Sequence, residues 1–284
     1  MRNPRIVLGL TLLASLPTAP VHADVVLRAV TTDHGRSTPA THTNEVRVAG
    51  PNVRIDVDLD EDGGARMSVI FRGDERKMLA VDHREESVTV IDREMVQAVT
   101  GQIQQALRQF EAQLEGMSEE ERAAMKRLLG GQMETLRNLG EEAPAPPPTE
   151  VRTTDERAER SGFPCIRQEV WSEGARIREF WVTEWSRVEG GAETRAALLG
   201  MAEFAEELFE SVKGSFPGLD FADMGNPFQD VRELAGLPVV TRLFDDAALT
   251  SETVVEWVRR AELEDGTFRA PAGYATRDIA ASAR

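Results

Sequence analysis

Cysteine occurs once in the 284 residues, at Cys165, so the chain can close no disulfide of its own. A single thiol is expected to be buried and inert, with a reactive or intermolecularly paired thiol as the alternative. Lysine is nearly as scarce, at Lys77, Lys126 and Lys213, and arginine carries almost all the positive charge. That charge is outweighed, with 49 acidic residues against 33 basic ones and a formal net charge of -16. Such a surface repels phosphate backbones and anionic membranes, so nucleic acid is not an expected partner.

Recognisable catalytic patterns are also missing. No Gly-x-Ser-x-Gly elbow, Walker-type Gly-Lys-Ser/Thr or dinucleotide fingerprint occurs, which removes the easily recognised hydrolases, NTPases and dehydrogenases. Histidine stands only at His22, His34, His42 and His83, never in a metal-ligand pair at helical spacing, and exposed or turn positions are expected for them. The expectation is a non-enzymatic protein without cofactor or metal.

At the N-terminus, Arg2 and Arg5 precede an apolar run over residues 6–16, and Val21-His22-Ala23 offers small residues for cleavage. This is the pattern of a signal peptide over 1–23, cut after Ala23. The run is shorter than the roughly 20 residues a membrane span needs, and Pro17 and Pro20 follow it. The expected product is a soluble periplasmic or secreted protein with no membrane span and no lipid-bearing cysteine at its start. Cleavage makes its formal charge two units more negative.

Residues 53–60 alternate apolar and charged side chains, the period of a strand with one wet face. Segments 24–32, 43–48, 67–71, 77–82 and 86–91 have similar length and β-branched content, so six strands in an antiparallel meander are expected. From Asp92 the period changes: Val96, Val99, Ile103, Ala106, Leu107, Phe110 and Leu114 mark a helix to about Gly116. Ser118 and Glu121 suggest a capping box before a second stripe from Met125 to Leu139. The proline-rich stretch 141–149 is then an extended connector. Strands resume at 150–159, 165–172 and 176–185, with Glu173-Gly174 as a tight turn, followed by a helix over 194–212 and a Gly/Pro/Asp-rich loop over 214–226. A helical turn at 229–234 and strands at 238–244 and 253–262 complete the chain. Helices bracketed by strands favour one α+β domain over 24–284, carrying a helical insertion at 92–140 and the connector at 141–149.

Three features tempt a sharper reading. Asp58-Leu59-Asp60-Glu61-Asp62-Gly63 matches half of a calcium loop, but Val69 stands where the bidentate glutamate is needed, so an acidic turn is expected. Met117, Met125 and Met133 are spaced so that they spiral around a helix, which favours packing over Cu(I) ligation. Trp171, Trp181, Trp185 and Trp257 fall in the later strands, where period two puts Trp181 and Trp185 on one face and Phe180 on the other. Those rings either fill an ordinary core or line an apolar pocket.

Gly162-Phe163-Pro164-Cys165, Glu179-Phe180-Trp181-Val182-Thr183, Gly236-Leu237-Pro238-Val239 and Phe268-Arg269-Ala270-Pro271-Ala272-Gly273-Tyr274 resemble an exported bacterial family known only as a domain of unknown function. In strand and helix order the chain is similar to periplasmic lipoprotein carriers of the LolA and LolB type. That resemblance implies an incomplete, curved antiparallel half-barrel covered by inserted helices, with an apolar concave face. The expected role is carriage of an apolar ligand, a lipid or lipidated protein, contacted by Trp181, Trp185, Phe180, Trp257, Leu107 and Phe110. The alternative is an envelope interaction module with a closed core and a protein partner.

Overall fold

The structure, a computed structural model, describes residues 24–35, 38–59, 64–115, 118, 148–213, 232 and 234–277. The expected signal peptide, the second helical stripe, the connector before Pro148, the acidic turn from Asp60 to Gly63, the methionines Met117, Met125 and Met133, the loop 214–226 and most of the turn 229–234 lie outside the described residues.

The alternating segment forms β3 (Asn52–Leu59), between β2 (Ala40–Ala49) and β4 (Ala65–Arg72). With β1 (Asp24–Asp33), β5 (Lys77–Asp82) and β6 (Ser87–Ile91), it completes the expected six-strand meander. A second meander follows: β7 (Thr149–Arg160), β8 (Phe163–Ser172), β9 (Ala175–Glu184), β10 (Gly236–Asp245) and β11 (Ala248–Ala261). The Glu173-Gly174 turn has φ of 51° and 82°, the double left-handed geometry that matches strand twist in a two-residue hairpin.

The two meanders join where β1 pairs antiparallel with β11, giving one open 12-stranded sheet that runs from β12 beside β6 to β7. Only β12 (Ala275–Arg277) departs from antiparallel order, lying parallel to β6. Its three exposed residues carry no periodicity, and its pairing is set by distant contacts.

Two α-helices appear among the described residues: α1 (Arg93–Glu115), between β6 and β7, and α2 (Gly191–Lys213), between β9 and β10. The stripe Ala197, Met201 and Phe204 lays α2 on Val25, Val48, Val53 and Phe71, and the Phe71 and Phe204 rings stand 5.5 Å apart. At its entry Gly190 has φ of 62°, and a Cβ there would meet Val25 Cγ2 at 2.2 Å, so glycine lets the helix start against β1. Glu207 of α2 pairs with Arg76 and with Arg93 of α1. We call the side of the sheet under α2 the helix side.

Cross-strand pairs share a face, so register carries this label across the sheet. The row Thr31, Thr253, Thr241, Phe180 places Phe180 on the helix side, because Thr31 is in phase with Val25 on β1. The other side holds Ile70, Leu79, Val81 and Val88, packed against Phe268 and Tyr274 of the segment before β12.

Two sequence expectations need correction. The charged face of β3 is not wet: Asp56 is 1% exposed, held by Arg47 and by Arg54, whose Nε lies 2.8 Å from Asp56 Oδ1. Trp185 lies outside the alternation of β9, which ends at Glu184; it opens a 3-10 turn, Trp185–Arg187, closed by Val188 N–H on Trp185 O, and still packs against the cluster that holds Trp181.

Candidate functional site

The exposed large apolar side chains of the described residues are Val57, Met67, Val151 and Leu243. Register puts all four on the helix side. Val57 is in phase with Val53 and pairs with Met67. Val151 pairs with Val170, which is in phase with Gln168, the partner of Phe180. Leu243 is in phase with Thr241. Scattered exposed apolar residues are ordinary, but four on one face of one sheet are a pattern.

Two cavities lie against the sheet among the described residues. One, of about 260 Å³, lies at the end of the sheet and draws on both of its faces: the row Arg157, Ile166, Val182 lines it from the helix side, and the pair Ala158, Cys165 from the other. The second, of about 230 Å³, lies between Val57 and Met67, beside His42, Asp58 and Arg66. Asp58 accepts from Arg66 Nη1 at 2.8 Å and lies 3.0 Å from His42 Nδ1. Those two hydrogen bonds hold its carboxyl below the usual range, the His42 contact having the larger effect.

The side chains expected to bind ligand are divided by the sheet. Phe180, 1% exposed, packs on the helix side with Val170, Val182 and Leu234. Trp181 is in phase with Glu179 on the other face, donates to Glu179 Oε1 at 3.2 Å and carries the Arg160 guanidinium over its ring at 4.3 Å. Trp257 pairs with Arg28 and is covered by Arg259 at 4.0 Å. Trp185 packs against the cluster that contains Trp181. Leu107 and Phe110 belong to α1, and their side chains lie outside the described residues. Val57, Met67, Val151 and Leu243 escaped sequence reading because alternation gives their phase but not whether a helix covers them.

Across β8 to β10 the far face is built of charge. Glu179, 4% exposed, accepts from Arg176 at 2.7 Å and Arg242 at 3.0 Å, and Arg167 lies 3.1 Å away. Glu169 takes Trp171 Nε1 at 3.0 Å and Arg176 at 3.2 Å. Buried carboxylates matched by guanidiniums are satisfied, so this network holds strands β8 to β10 in place and presents no open apolar surface. Cys165 is 3% exposed, and burial pushes its thiol pKa up, as expected for an inert side chain.

Near β4, Ser68 and His83 resemble a nucleophile and its base, with Oγ and Nε2 2.7 Å apart. Ser68 is fully buried and donates its proton to Asp56, so Nε2 must donate to Oγ, the reverse of what attack requires. His83 Nδ1 lies 3.0 Å from Tyr274 Oη, and Arg54 donates to Thr267 O at 3.1 Å. The group therefore pins the C-terminal segment to the sheet. Among the described residues no three His, Cys, Asp or Glu side chains form a metal site.

This pin makes stability depend on pH. Burial, followed by repulsion from Arg54, lowers the His83 pKa, against weaker opposing pull from Asp56 and Asp82. The unfolded chain then binds the proton more readily than the folded one, so stability falls as pH drops below the ordinary value of 6.5. Thermal unfolding at about pH 7.5 and about pH 5.5 is expected to show this loss, reduced in His83→Gln; an unchanged difference in that variant would remove His83 as its source.

No described helix is long and apolar enough to cross a membrane. No protein-family model matches the chain, and no curated protein matches it. Among solved structures it is similar to an uncharacterised conserved protein from Thermus thermophilus, at 6% identity over 90% of this chain and 91% of that one, with a TM-score of 0.42. A LolA superfamily protein from Nitrosomonas europaea aligns at 6% identity over 88% and 91%, with a TM-score of 0.33. A DUF1329 family protein from Desulfovibrio piger aligns at 11% identity over 88% and 91%, with a TM-score of 0.29. These likenesses are loose, and what the chain binds is read from its own faces.

Proposed function

We propose that this is an exported protein that holds an apolar ligand, a lipid or the acyl part of a lipidated protein, between the helix side of its sheet and its helices. The observation that carries this reading is the gathering of the exposed apolar side chains on that one side, where Val57 and Met67 also border a cavity. In this reading the sheet is an incomplete half-barrel within a single α+β domain over 24–284. The insertion 92–140 and α2 act as lids, and residues 1–23 are removed on export to the periplasm. Phe180 and helix α1, with Leu107 and Phe110, belong to the binding side, whereas Trp181 and Trp257 buttress the sheet from behind.

One observation favours a second reading. The space beneath α2 is filled by Phe71, Met201 and Phe204, and both cavities fall below the roughly 300 Å³ at which small-molecule pockets begin. A filled core suits an interaction module whose helix side docks an envelope protein. Titration with a fluorescent long-chain acyl probe separates the two. The carrier reading expects saturable 1:1 binding displaced by unlabelled fatty acid; an unsaturable or absent signal leaves the interaction module.

A further inference from the structure

Among the described residues strand β7 ends the sheet and is paired on one side only, with β8. At the opposite end the chain supplies its own cover, since β12 lies along β6. An uncovered edge offers a row of unpaired N–H and C=O groups to any strand that can match it. Over residues 149–153 every side chain is exposed and the pairing with β8 is regular; the register then shifts between Thr153 and Arg157.

Those five residues read Thr149, Glu150, Val151, Arg152, Thr153. Laid antiparallel against a second copy of itself and centred on Val151, the segment sets valine opposite valine, each Glu150 opposite an Arg152, and each Thr149 opposite a Thr153. A shift of the centre to Glu150 or Arg152 sets like charges face to face, so the chemistry selects one register. Val151, 39% exposed on the helix side, would be covered by its counterpart. Glu150 and Arg152 already attract within one chain, at 2.6 Å, and the segment is neutral, so the repulsion expected between two acidic proteins is weakest along this edge.

We propose that β7 is a self-association edge. Two copies join through residues 149–153 about a two-fold axis at Val151, running their sheets into one another as an isologous dimer. The interface is small, so association is weak and reversible.

Sedimentation equilibrium of the purified protein, from low micromolar to hundreds of micromolar, tests this together with two variants checked for native circular dichroism. The wild type is expected to dimerise with concentration. Glu150→Arg sets arginine against arginine twice and weakens the dimer on the order of tenfold. Glu150→Arg combined with Arg152→Glu restores the pairing and the dimer. A wild type that stays monomeric throughout, a dimer indifferent to Glu150→Arg, or a double variant no better than the single one overturns the proposal.

Discussion

Replacing Val57 and Met67 together by glutamate will leave the protein folded and weaken its hold on a long-chain acyl probe by about tenfold or more. Both side chains are exposed, at 38% and 48%, so the folded state loses little packing, and the two glutamates facing each other across β3 and β4 add a repulsion of about 1 kcal/mol at most. A ligand lying on that face would cover them, and fully burying a valine or methionine side chain contributes about 1.5–3 kcal/mol. The pair sits opposite one another on β3 and β4, so the two charges deny the same stretch of surface. Probe binding unchanged in a variant with native melting temperature would remove this end of the helix side from the site.

The largest effect on stability is expected at Asp56. Asp56→Asn keeps the shape of the side chain but leaves Arg47 and Arg54 gathered around a neutral amide, and it disturbs the acceptor of the Ser68 proton. Removing one partner of a buried ion pair costs about 3–5 kcal/mol; because both arginines are partly exposed, about 3 kcal/mol is expected here. In a domain of this size that lowers the melting temperature by about 6–12 °C. Ser68→Ala, which removes one neutral donor, should cost about 1 kcal/mol. A drop of under about 2 °C for Asp56→Asn would mean that the arginines are solvated rather than held by the carboxylate.

The strand pattern was readable because its cause is local. Valine, isoleucine and arginine alternating on β3 produce a strand in almost any surroundings, and Lys77–Asp82 begins and ends where expected. Phe180 and Trp181 were correctly assigned to opposite faces by period two. What period two cannot supply is which face receives the helices, and that decides the candidate site. Tryptophan drew attention as the larger ring, yet Trp181 and Trp257 lie against arginines on the far face, and the ordinary residues Val57 and Met67 mark the open one.

Charge on β3 misled for a related reason. Alternating aspartate and arginine resemble a solvated face, but Arg47 comes from β2, Ser68 from β4, and Thr267 and Tyr274 from a segment about 200 positions along the chain. Burial of Asp56 is a property of that assembly, and no window of sequence contains it. Strand β12 escaped for the same reason, since three exposed residues form a strand only because β6 offers them an edge.

Mass spectrometry of organic extracts from the protein, purified without detergent from the envelope of its own cells, tests the central claim most directly. The account predicts a lipid or other acyl species near one per chain, depleted in the Val57→Glu, Met67→Glu variant while Trp257→Ala retains it. A protein that carries no such species, or a bound lipid lost on Trp257→Ala and retained when the helix side is charged, would contradict it.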